Sequence, residues 1–86
     1  MATYRLSLLT PDGKIFDGEI ESLSAPGAYG SFGVLACHAP MVCQLSKGVL
    51  KIKAPPKEFF VTVWPGALEV DAKGNVLVLV DKAVLS

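Results

Sequence analysis

The stretch FFVTVWPGALEVDAKGNVLVLV, residues 59–80, decides the fold class of this chain. Apolar side chains occupy alternate positions in it, as in the run Val76, Val78 and Val80. A period of two places such side chains on one face of a β-strand. The intervening DAKGN segment (71–75) supplies the glycine and asparagine that suit a tight turn. The stretch therefore predicts short strands joined by turns.

The same alternation continues outward through the rest of the chain and predicts no helix. Short strands separated by frequent turns indicate an antiparallel sandwich or barrel. The KAPPKE segment (53–58) is predicted to be a loop, because its two adjacent prolines cannot join a central ladder. We therefore expect one all-β domain, residues 1–86, without a linker or a repeat. The predicted strands are residues 3–9, 14–16, 19–25, 31–35, 41–45, 48–53, 58–64, 66–70 and 75–81.

Composition narrows the classes of function. Apolar residues make up 51% of the 86 residues, and the mean hydropathy of +0.47 is high for a small soluble domain. Such a chain either packs very densely or leaves apolar surface that a partner covers. We favour the second explanation. Eight basic residues balance eight acidic ones, so no basic field favours nucleic acid. The sequence also shows neither a signal peptide nor an apolar run long enough to span a bilayer.

The middle of the chain is free of charge. Residues 22–46 contain no Asp, Glu, Lys or Arg. Charge depletion is typical of interface cores, but a buried hairpin with polar turns would show it too. Within this segment, GAYGSFG (27–33) is not a phosphate-binding loop, because no Lys-Ser/Thr pair and no predicted helix follow it. Tyr29 is either a simple exposed aromatic residue or a contact for a partner.

Three residues of this segment raise the question of a metal or thiol site. Cys37 and His38 are adjacent, and Cys43 follows closely. Three soft ligands are one short of a closed zinc site, and neighbouring residues on a strand point to opposite faces. A disulfide between the cysteines would fit a turn, but a chain without a signal peptide is expected in a reducing compartment. We therefore expect thiols acting as small hydrophobes, and a histidine that holds its loop by hydrogen bonds to the backbone.

The acidic side chains Asp17, Glu19 and Glu21 are spaced two apart, which predicts one strand face. Glycosidase-type chemistry needs two carboxylates across a cleft. Three on a single solvated edge are better explained by solubility and edge protection. We expect no catalytic residues, no metal and no cofactor.

The order of these segments resembles a known family. LLTPDGKIFDGEIESLSAPGAYGSFGVLACHAPMV (8–42) is similar to the opening of the epsilon subunit of bacterial and chloroplast rotary ATP synthases, called delta in mitochondria. The resemblance continues through KGVLKI (47–52) and FFVTVWPGALEVDAKGNVLVLVDKAV (59–84). The chain departs from the family at Ala36-Cys37, usually Pro-Gly, and at Trp64-Pro65-Gly66, usually a Ser-Gly-Gly-like turn.

The resemblance implies a flattened antiparallel β-sandwich of about ten short strands. It also implies a non-catalytic central-stalk (rotor) subunit of a proton-translocating ATP synthase, peripheral on the cytoplasmic face of the bacterial inner membrane. Its partners would be the gamma subunit and the c-ring, with no nucleic acid, no membrane insertion and no small-molecule substrate. By position in the motif, the c-ring would contact Ala28, Tyr29, Gly30 and Ser31, and gamma would contact His38, Ala39, Pro40, Met41 and Val42.

Two further points stay with this interpretation. The family typically continues beyond its LADxA-like segment, here residues 79–83, into a charged helical hairpin with an inhibitory, ATP-sensing role. That role is not carried over to residues 1–86. The alternative function is a free-standing β-sandwich interaction domain outside the ATP synthase.

Overall fold

The computed structural model describes residues 2–36 and 39–86, and in these ranges the regular structure is entirely β. The all-β expectation is confirmed, and so is the number of strands that the resemblance implied. The strands are β1 (Tyr4–Thr10), β2 (Gly13–Ile20), β3 (Ser22–Gly27), β4 (Gly30–Leu35), β5 (Met41–Leu45), β6 (Gly48–Ala54), β7 (Lys57–Val63), β8 (Gly66–Val70), β9 (Val76–Val80) and β10 (Ala83–Leu85).

The ten strands form one sheet that folds over on itself. Its order is β10-β7-β6-β3-β5-β8-β9-β1-β2, with β4 paired to β3. The two halves join where β3 meets β5 at the pair Gly27–Leu45. The two halves also face each other across the core. One contact between them is the edge-to-face pair of Phe16 on β2 and Phe59 on β7, whose ring centroids are 5.4 Å apart. The result is a β-sandwich formed by one nearly closed sheet.

The core lies between these two halves. Leu50 and Ile52 of β6 are fully buried, whereas Lys51 and Lys53, which alternate with them, are exposed. The alternation seen in the sequence thus separates an apolar inner face from a solvated outer face. Among the described residues, every buried side chain is apolar or the tyrosine Tyr4. Burying an aliphatic side chain of this size contributes about 2 kcal/mol, so the inner face drives folding.

The observed strands differ from the prediction in several details, among them the predicted loop 53–58, which is reduced to a turn at Pro55 and Pro56. Strand β2 runs unbroken through Asp17 and Gly18, where a break was predicted, because the Asp17 carboxylate finds cationic partners on β1 and β2. Strand β10 was not predicted, since three residues are too few to show an alternation. One pair is parallel: β1 runs beside β9 with Leu6 opposite Val76. Alternation specifies which face a strand buries but not the direction of its neighbour.

Candidate functional site: the hairpin tip and the edge of β5

The β3–β4 hairpin ends in a tight turn at Ala28 and Tyr29. The turn closes through the pair Gly27–Gly30, and Gly30 has φ +125°, a conformation that L side chains rarely adopt. A Cβ on Gly27 would lie 2.7 Å from the carbonyl oxygen of Gly30, so glycine is required there for close approach. The turn leaves the Tyr29 side chain fully exposed at the tip.

This tip lies beside strand β5. The Ala28 N–H donates a hydrogen bond to the carbonyl oxygen of Gln44 at 3.2 Å. A cleft of about 510 Å³ separates the remainder of the tip from β5, and its lining comes from residues 27–32 and 42–44. The cleft therefore contains all four residues of the predicted c-ring set, 28–31, together with Val42 of the predicted gamma set.

The rest of the predicted gamma set lies at the start of β5. Ala39 and Pro40 are exposed, Met41 is half-buried against the core, and Val42 is 74% exposed. Val42 is thus the member with the most apolar surface free for contact. His38 lies outside the described residues.

Of the two predicted free thiols, the structure describes only Cys43. Cys37 lies outside the described residues, so its expected free thiol and the rejected metal and disulfide hypotheses stay untested. Cys43 is a half-buried free thiol whose Sγ donates to the carbonyl oxygen of Gln44 at 3.6 Å. Within 2–36 and 39–86, no three His, Cys, Asp or Glu side chains are grouped so as to hold a metal ion.

The hairpin is also attached to the first strand. The Tyr4 hydroxyl donates a hydrogen bond to the carbonyl oxygen of Val34 on β4. Burial raises the pKa of Tyr4 to about 12, because the phenolate would lose its hydration. The hydroxyl therefore stays neutral and keeps donating at physiological pH.

The acidic side chain of Asp17 is paired with cations on β1 and β2. Asp17 accepts hydrogen bonds at 2.8 Å from Nε and Nη2 of Arg5 and at 2.9 Å from Nζ of Lys14. These bonds, with Arg5 the largest contributor, hold the pKa of Asp17 well below its usual range. Asp17 and Glu19 lie on β2, at the end of the sheet order, as edge protection requires. The prediction that Glu21 shares their strand face is wrong, because β2 ends at Ile20 and Glu21 occupies the bend that follows.

Sequence reasoning missed an outward row of uncharged side chains that starts at the cleft. Gln44 of β5 pairs with Ala67 of β8, which pairs with Leu79 of β9, and Leu79 is 49% exposed. The row therefore extends the uncharged surface of the cleft from β5 across β8 to β9. A signal existed in VLVLV (76–80), because a strand with apolar residues at both parities has two faces to cover.

Ten short strands in two facing layers define a small β-sandwich domain. The family description "ATP synthase, Delta/Epsilon chain, beta-sandwich domain" matches residues 3–86. The chain belongs to this ATP synthase delta/epsilon chain family, as its sequence motifs indicated.

Named relatives agree with this membership. The chain is 41% identical to the ATP synthase epsilon chain of Rhodopseudomonas palustris (strain BisB5), over 96% of this chain and 61% of the relative. It is 43% identical to the epsilon chain of Sulfurimonas denitrificans, over 98% of this chain and 65% of the relative. The chain thus spans less than two thirds of the length of these relatives.

Solved structures show the same architecture. A chain of the Euglena gracilis mitochondrial ATP synthase, determined with OSCP, F1 and the c-ring, superposes with a TM-score of 0.91 at 26% identity, over 99% of this chain and 54% of that one. A chain of the Tetrahymena thermophila central stalk and c-ring structure gives 0.81 at 19% identity, over 96% and 66%, and supports the fold alone. Across the described residues, no helix has the length and apolar character needed to cross a membrane.

Proposed function

We propose that this chain is a rotor subunit of a proton-translocating ATP synthase, placed at the foot of the central stalk and bound to both the gamma subunit and the c-ring. In this role it couples proton flow to ATP synthesis by holding two moving parts together. Its place is peripheral, on the cytoplasmic face of the bacterial inner membrane. The observation that carries the proposal is the charge-free cleft between the exposed tip and β5, because charge depletion and an exposed aromatic residue are typical of interface cores.

We also propose that the subunit has no active site of its own. Coupling through shape and apolar contact needs no nucleophile, metal, cofactor or small-molecule substrate. The carboxylate that is most perturbed among the described residues, Asp17, is already occupied by Arg5 and Lys14. An ion pair of this kind stabilises the charge of the carboxylate and leaves it unsuited to proton transfer at neutral pH.

The two partners are assigned to the two parts of the site. The tip residues Ala28, Tyr29, Gly30 and Ser31 are proposed to contact the c-ring, because all four are exposed at the end of the hairpin. The segment from His38 through Ala39, Pro40 and Met41 to Val42 is proposed to contact gamma. In the described part of that segment, the largest apolar exposure belongs to Val42.

The test uses substitutions at exposed positions, which leave the core intact. Val42→Asp would bury an unpaired carboxylate against gamma, and we expect it to weaken gamma binding at least about tenfold. Val49→Asp is the matched control, because Val49 is an exposed valine of β6 that does not line the cleft. Tyr29→Ala should weaken binding to the detergent-solubilised c-ring by a similar factor and leave gamma binding unchanged.

Titration calorimetry with purified gamma and with the c-ring measures both effects. Equal gamma affinities for the Val42→Asp and Val49→Asp variants would reject the gamma assignment. If the unmodified chain did not co-purify with gamma at all, the rotor role would fail, and a free-standing interaction domain would be favoured instead.

A further inference from the structure

Strand β5 is paired unequally along its two edges. On one side it pairs with β8 through all five of its residues, from Met41–Val70 to Leu45–Gly66. On the other side it meets β3 at a single pair, Gly27–Leu45. The start of β5 therefore extends past the hairpin tip with one edge uncovered by any described strand.

The main-chain groups on that edge point into the cleft. The carbonyl of Gln44 faces the hairpin, since it accepts the Ala28 N–H. Main-chain groups two residues apart on a strand point the same way, so the N–H and carbonyl of Val42 also face the hairpin side. The hairpin has already turned away there, and no residue in 2–36 or 39–86 bonds to either group. Val42 thus presents one main-chain donor and one acceptor to the cleft.

The chemistry of the lining restricts what can fill the cleft. The nine residues that line it include no charged side chain. A charged group buried there would find no counter-charge, which is costly. An unpaired strand edge is satisfied by another extended backbone about 4.8 Å away. These requirements together describe an extended and uncharged polypeptide segment.

We infer that the cleft receives an extended, uncharged segment of the gamma subunit, which adds to the sheet as a short strand on β5. Its backbone pairs with the N–H and carbonyl of Val42. Main-chain pairing of this kind supplies affinity, while the neighbouring pocket selects the side chains. The inference rests on the proposed binding of gamma and specifies how that binding occurs.

Amide hydrogen exchange, followed by NMR with and without purified gamma, tests the inference. The Val42 amide should exchange quickly in the free chain and at least about 100-fold more slowly in the complex, because exchange then requires the added strand to open. The amide of Ala72, in the exposed turn before β9, serves as the internal control and should not change.

The outcomes separate this inference from the proposed function. A complex that forms without protecting the Val42 amide overturns main-chain pairing and leaves gamma binding intact. Protection that appears only when the c-ring is added overturns the assignment of the segment to gamma. If no complex forms with gamma, the proposed function fails together with the inference.

A chemical variant gives a second measurement. Replacing the Val42 amide by an ester removes the N–H and keeps the side chain. We expect gamma binding to weaken about tenfold, because the gamma carbonyl that it served is left unsatisfied. The same replacement at Ala72 is the control, and its affinity for gamma should equal that of the unmodified chain. Equal affinities for the two esters would reject a main-chain bond at Val42.

Discussion

The hydroxyl of Tyr4 on β1 donates a hydrogen bond to the carbonyl oxygen of Val34 on β4, and both residues are buried. Among the described strands, β4 pairs with β3 alone. The bond from Tyr4 therefore attaches β4 directly to β1, in addition to the pairing of β4 with β3.

Removing this hydroxyl should destabilise the domain. In a Tyr4→Phe variant the buried carbonyl of Val34 loses its partner, and we expect the free energy of unfolding to fall by about 1–3 kcal/mol. Urea denaturation followed by the fluorescence of Trp64 measures it. The control is Tyr29→Phe, which removes a hydroxyl from a fully exposed ring and should change stability by less than about 0.5 kcal/mol. Equal losses in the two variants would contradict a special role for the buried bond.

Stability should also decline at alkaline pH because of Tyr4. Burial raises the pKa of Tyr4 to about 12, whereas an unfolded tyrosine titrates near pH 10. Above about pH 10 the unfolded state binds fewer protons than the folded state, so raising the pH favours unfolding. This contribution is complete below pH 10 and is lost by about 1.4 kcal/mol per pH unit up to about pH 12. Urea denaturation from pH 9 to 12 should show a steeper decline for the parent chain than for Tyr4→Phe; parallel declines would refute the assignment.

Alanine should not be tolerated at Gly66. A Cβ there would collide with the carbonyl oxygen of Leu79 and lie 2.7 Å from the Cα of Val80, both of them backbone atoms of β9. Because a paired strand cannot move aside, we expect Gly66→Ala to cost about 3 kcal/mol of stability. Gly33→Ala is the matched control, since its Cβ would meet only the Leu23 carbonyl oxygen at an ordinary 3.8 Å. A Gly66→Ala variant as stable as Gly33→Ala would show that β8 and β9 separate more easily than their pairing indicates.

The aromatic residue at the Trp64-Pro65-Gly66 turn should contribute through its lysine neighbours. The ammonium groups of Lys47 and Lys82 each lie 4.7 Å from the centroid of the Trp64 ring. We expect Lys47→Gln and Lys82→Gln each to lower the free energy of unfolding by about 0.5–1 kcal/mol through loss of a cation–π contact. Lys57→Gln, at an exposed lysine for which the structure shows no ring contact, should have no effect. Thermal denaturation of the three variants decides the matter, and equal shifts in melting temperature would count against the contact.

Strands with one buried and one solvated face were predicted most closely from the sequence. For β8 the predicted range 66–70 agrees with Gly66–Val70, because Leu68 and Val70 alternate with the charged Glu69 and a turn lies on either side. Strand β2 was divided in the prediction because aspartate and glycine at 17 and 18 are poor strand formers. Tertiary contacts overrode that preference, since the Asp17 carboxylate is held by Arg5 and Lys14.

The candidate site could be predicted only in part. The charge-free segment 22–46 identified the region, and Tyr29 was recognised as a potential contact. The cleft itself arises because the tip lies beside Val42, and this proximity is set by the pair Gly27–Leu45. A pairing between positions eighteen residues apart depends on the register of whole strands, which local alternation does not encode.

The parallel pair of β1 and β9 has a consequence for biosynthesis. Leu6 and Leu8 rest against Val76 and Val78, which the ribosome makes much later. The sheet cannot reach its final form until nearly the whole segment has left the exit tunnel. Until then β1 pairs with β2 along one edge only, and its other edge is exposed, so we expect the nascent chain to need a holding chaperone at this stage.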